Sequence, residues 1–99
     1  MNIFSWFDAS QEKQFGLTLA QALIERTPVD KALSEGALSK KHEAMLNKLN
    51  QLAMEFKKDR KLNTYKKAAL GNSFKWALIT RGYDSNYVDQ LTKWIILKL

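Results

Sequence analysis

Proton transfer and nucleophilic attack need side chains that change charge near neutral pH or carry a reactive lone pair. This chain supplies one histidine, ten carboxylates, its hydroxyls and sixteen cations, and no cysteine. His42 shares a helical face with Met45, Leu46 and Leu49, which predicts a partly buried imidazole bonded to a nearby carbonyl. No second histidine exists to complete a metal pair, and the His42-Glu43 dipeptide lacks the further histidine of a zinc-protease helix. Acidic pairs one turn apart occur at Asp8 with Glu12 and at Glu55 with Asp59. Both are read as polar surface, the first favouring a helix N-terminus and the second relieving repulsion among lysines. Acid–base work needs a desolvated cleft, and neither pair implies one. The four glycines are isolated and match neither a phosphate-cradling loop nor a dinucleotide turn. The expectation is a non-enzyme with no catalytic, metal or cofactor site.

The cations are the sharper chemical feature. Seven bases and one acid between Lys57 and Lys75 account for the whole net charge of +6. Lys57, Lys58, Arg60 and Lys61 end one predicted helix, and Lys66 and Lys67 open the next, so the six could form one positive surface. Such a surface binds nucleic acid through counterion release, with Tyr65 available to stack on a base. Anionic membrane and an acidic protein partner are the other ligands it suits. A plain solvated face explains the lysines at a helix C-terminus, where they complement the dipole, but not Lys66 and Lys67, which oppose it in a first turn. One continuous helix through this region would remove that objection. No helix-turn-helix, zinc-finger or aromatic RNA-binding signature is present.

Helices must position these groups, because apolar residues recur every three to four positions and sustained alternation is missing. Asp8 with Gln11 resembles a capping box opening a helix to about Arg26, with Phe15, Leu19 and Leu23 on one face, Gly16, Ala20 and Ile24 beside them, and Gln14, Thr18, Gln21 and Glu25 opposite. Thr27, Pro28 and Asp30 start a short connecting helix that ends near Gly36. Ser39 caps a long helix with the narrow stripe Met45, Leu46, Leu49, Leu52, Ala53 and Phe56. The pattern breaks near Asn63 and Thr64, poor helix formers both. From about Thr64 to Thr80 the next helix is apolar on two sides, Tyr65, Ala69, Trp76 and Ile79 against Leu70, Phe74, Ala77 and Leu78, and so must be covered twice. Arg81 and Gly82 close it, and Asp84 or Ser85 caps a last helix with the stripe Tyr87, Val88, Leu91, Trp94 and Ile95.

Apolar side chains exceed what one small interior needs. Ile3, Phe4, Trp6 and Phe7 precede the first helix, while Phe74 with Leu78, and Ile96 with Leu97, lie off their main stripes. Two arrangements would cover them. In a homodimer, Phe4, Trp6, Phe7, Phe74, Leu78, Ile96 and Leu97 form the interface; in a monomer, residues 1–7 fold back over the helix that carries Phe74. Insertion of Trp6 and Phe7 into a membrane surface lacks adjacent lysines. Gly71, Asn72 and Ser73 read as a close-packing stretch with a buried Asn72, and Tyr65, Asn72, Trp76 and Tyr83 mark where a small ligand would sit.

At 99 residues, with 45% hydrophobic and 26% charged side chains, the chain is one ordinary folding unit. No apolar run is longer than the four residues Trp94 to Leu97, far short of a membrane span, and residues 1–10 lack a basic leader, so the cytoplasm is the expected compartment. The reading is a single all-α domain over residues 1–99, a compact bundle of four main helices plus one short connecting helix. Its expected role is that of a homodimeric protein–protein interaction or scaffolding module, with nonspecific nucleic-acid binding through residues 57–67 as the alternative.

Overall fold

A computed structural model describes residues 8–27, 40–58 and 60–99. Its helices are α1 (Ser10–Arg26), α2 (Lys40–Lys57), α3 (Thr64–Thr80) and α4 (Ser85–Lys98), and no strand occurs among the described residues. The all-α class and the four main helices are therefore the architecture found. The connecting helix after Thr27, the Ser39 cap and the apolar segment 1–7 lie outside the described residues.

Helix boundaries follow local chemistry where that chemistry is strong. Asn63 caps α3, its side-chain oxygen accepting from the Lys66 amide at 2.8 Å. Asp84 caps α4 in the same way, accepting from the Tyr87 amide at 3.0 Å. Helices α2 and α3 are thus separate, and Lys66 and Lys67 do stand in a first turn. At α1 the expected Asp8–Gln11 box does not form. Asp8 accepts the Ser10 amide at 3.2 Å and the Ser10 hydroxyl at 2.7 Å. That engagement two residues on leaves Ala9 as a cap without a side-chain bond, and the helix begins at Ser10.

The core is assembled from one stripe of each helix. Leu19 and Leu23 of α1, Met45 and Leu49 of α2, Leu70, Phe74 and Leu78 of α3, and Val88 and Ile95 of α4 are all fully buried. Each such side chain contributes about 1.5–3 kcal/mol relative to an exposed one. The α1–α3 contact is the closest. A Cβ on Gly16 would stand 2.5 Å from the Leu70 carbonyl oxygen and 2.9 Å from the Ser73 Cβ, so only glycine lets these backbones meet. Ser73 adds a hydrogen bond from its hydroxyl to the Lys13 carbonyl at 2.6 Å. On the α1–α2 side, Phe15 stacks on Phe56 with ring centroids 4.0 Å apart. The narrow α2 stripe behaves as its spacing predicts, with Met45, Leu49 and Ala53 buried and Leu46, Leu52 and Phe56 partly so.

Helix α3 does pack on both α1 and α4. Its two apolar faces are nevertheless treated unequally: Leu70, Phe74 and Leu78 take the interior, while Tyr65 and Trp76 stay exposed.

Candidate interaction surfaces

The groups with the most chemical potential are used to hold the fold. His42 is buried on the α2 stripe, and its Nε2 lies 2.9 Å from the Tyr87 hydroxyl of α4. Desolvation by burial holds the imidazole below its ordinary pKa. Burial, with a smaller contribution from Tyr83, pushes the Tyr87 phenol up to about 12. Tyr83 is also buried, and its hydroxyl donates to the Thr27 carbonyl, tying the α3–α4 turn to the end of α1. Glu12 was read as polar surface and is instead buried. It precedes Gly16 by four residues and so shares the face that α1 turns inward. Asp8 is exposed, and the Ser10 hydroxyl and amide hold its carboxyl below the usual range, with Lys66 and Lys13 adding to the effect. Among the described residues no group of three or more histidines and carboxylates is gathered as a metal site would require.

The four residues marked as the place for a small ligand, Tyr65, Asn72, Trp76 and Tyr83, do not line one pocket among the described residues. Asn72 is exposed, not buried, because the close approach to α1 is made at Leu70, Ser73 and Phe74 on another side of the helix. Tyr83 is committed to the core. Trp76 instead borders a groove of about 480 Å³ between α1 and α3, shared with Leu17, Ala20, Ile24 and Ala77. Trp76 is 59% exposed there and Leu17 46%. Periodicity had placed Trp76 on a covered face, and no signal in the sequence singled out Leu17.

Of the expected interface residues, Phe74 and Leu78 are corrected outright. They are fully buried within this one chain, under α1 and α4, and so have no surface to offer a second subunit. Ile96 is partly buried, and its Cδ1 fills the space where a Gly71 Cβ would stand, 2.6 Å away. Leu97 is free of the core at 85% exposure. Phe4, Trp6 and Phe7 lie outside the described residues.

The basic residues gather around the α2–α3 connection. Lys58, Arg60 and Lys61 are exposed, while Lys57, Lys66 and Lys67 are half-buried. Among the described residues the ion pairs are Arg26 with Glu25 and Lys75 with Asp89, and none involves these six cations. Arg60 makes two side-chain contacts. Its guanidinium sits 4.2 Å from the Phe56 ring centroid and donates to the Gln11 side-chain oxygen. No described helix is long and apolar enough to cross a membrane. Comparison with protein-family models, with curated proteins and with solved structures finds no match for the chain.

Proposed function

We propose that this chain is a non-catalytic helical interaction module of the cytoplasm that associates with a second copy of itself through the α1–α3 groove around Trp76. The observation that carries the reading is the exposure of Trp76 and Leu17 together along one groove. Large aromatic side chains dominate binding energy at protein interfaces, and interface centres are depleted in charge. The groove fits both features, since Arg81 is its one charged lining residue among the described residues. A two-fold contact would lay Trp76 of each copy against the small residues Ala20 and Ala77 of the other.

The chain has no native cysteine, which allows a direct test. Gln21→Cys places a thiol on the groove and Gln90→Cys places one on exposed α4. A short bismaleimide should join copies of the first variant and leave the second monomeric. Equal yields from the two would count against the groove as the contact.

Nonspecific nucleic-acid binding is the second reading, favoured by the six cations gathered between Lys57 and Lys67, for which no salt bridge occurs among the described residues. It requires binding of a mixed-sequence duplex that weakens steeply with salt and disappears when Lys57, Lys58, Lys61, Lys66 and Lys67 become Gln. The apolar residues set among part of these cations weigh against it, because a phosphate backbone has nothing to bury on them.

A further inference from the structure

Where α2 ends, Met54, Leu62 and Leu99 form the apolar wall of an open groove of about 480 Å³, and Lys57, Lys58 and Arg60 stand around it. Glu55 is the one acid lining it among the described residues. Met54 is 49% exposed, although α2 has a full apolar stripe without it. The three cations have no ion-pair partner among the described residues, and Arg60 is held in place by Phe56 and Gln11.

We propose that this groove binds an acidic amphipathic segment of a partner protein, with apolar side chains against Met54, Leu62 and Leu99 and carboxylates toward Lys57, Lys58 and Arg60. A helix laid in an apolar groove with complementary charge at the rim is a recurrent recognition mode. Charge complementarity supplies the sign of the partner, and the apolar wall supplies its amphipathic character. Single-stranded nucleic acid is less well suited, because its bases bind by stacking on aromatic rings and the lining includes none among the described residues. A lipid surface would meet a concave site, whereas interfacial binding depends on a protruding apolar face. Among the described residues the groove shares no lining residue with the one around Trp76, so this inference goes beyond the self-association proposal and stands or falls separately from it.

Fluorescence anisotropy on the full chain tests it. The probe is a labelled peptide of about 15 residues with glutamates on one helical face and leucines on the other. It should bind, and a scrambled peptide of identical composition should bind about tenfold more weakly. Met54→Ser should weaken binding several-fold with no change in charge, and the triple variant Lys57→Gln, Lys58→Gln, Arg60→Gln should weaken it about tenfold. Trp76→Glu should leave it unchanged. All four substituted groove residues are exposed or half-buried, so circular dichroism should show wild-type helix content in each variant. Failure of the peptide to bind would overturn the proposal, as would equal binding of the scrambled peptide. So would tighter binding of labelled oligothymidylate or phosphatidylserine vesicles than of the peptide.

Discussion

His42 and Tyr87, forty-five positions apart in sequence, meet across α2 and α4 with 2.9 Å between the imidazole Nε2 and the phenol oxygen. The pair joins the start of α2 to the first turn of α4, and it is a polar contact made where both rings are substantially withdrawn from water.

A pH dependence follows. Burial holds the folded-state pKa of His42 below 6.5. Above that value the imidazole is neutral in folded and unfolded chains alike, and its contribution is fully present. As pH falls below it, the unfolded chain takes up a proton that the folded one resists, and stability declines until the folded-state pKa is passed. Tyr87 stays protonated throughout, since its pKa stands at about 12. Melting temperatures between about pH 7.5 and 4.5 should therefore fall more for wild type than for His42→Gln. Parallel curves would contradict this.

Asn63→Ala removes the side chain that accepts the Lys66 amide at the start of α3. A loss of about 1 kcal/mol is expected in urea unfolding. Asp84→Ala should behave alike at α4, where the Tyr87 amide loses its acceptor. An unchanged midpoint in both would show that these caps do not hold the helix ends.

Gly16→Val tests the α1–α3 contact. Even the Cβ would approach the Leu70 carbonyl to 2.5 Å, and a backbone oxygen inside a helix cannot move aside cheaply. Destabilisation by about 3 kcal/mol or more is expected. Retention of wild-type stability would mean that the two helices do not pack this closely.

The start of α4 was legible because Asp84 is a short-range capping signal that acts within one turn, whereas the cap that Asn63 makes on α3 was not read from the sequence. The break between α2 and α3 was legible because Asn63 and Thr64 are poor helix formers. Which face of α3 would be covered was not, since periodicity groups Phe74 with Leu78 and Tyr65 with Trp76 without saying where α1 and α4 lie. Gly16 settles that choice through a contact with Leu70 fifty-four positions away, and no local pattern reveals it. Glu12 was misplaced because its charge outweighed its position in the reading, although it lies four residues before Gly16 on the inward face. The candidate site was half legible: the cations at Lys57 to Lys67 stand out in composition, whereas Leu17 acquires meaning only beside Trp76.

Leu78→Ala should cost about 2–5 kcal/mol, and Phe74→Glu should prevent folding, because both side chains are fully buried. Leu97→Glu, at a site 85% exposed, should change stability by less than about 0.5 kcal/mol. Thermal unfolding of the three variants checks the order. A folded, monomeric Phe74→Glu protein would restore that residue to an interface and remove it from the core.

Light scattering coupled to size exclusion, run on wild type and on Trp76→Glu across a concentration series reaching tens of micromolar, tests self-association most directly. The wild type should rise with concentration toward twice 11.4 kDa. Trp76→Glu should remain at 11.4 kDa with unchanged helix content, since the tryptophan lies outside the core and a glutamate would be desolvated in the contact. A wild type fixed at 11.4 kDa at every concentration, or a dimer indifferent to the substitution, would contradict the α1–α3 groove as the site of association.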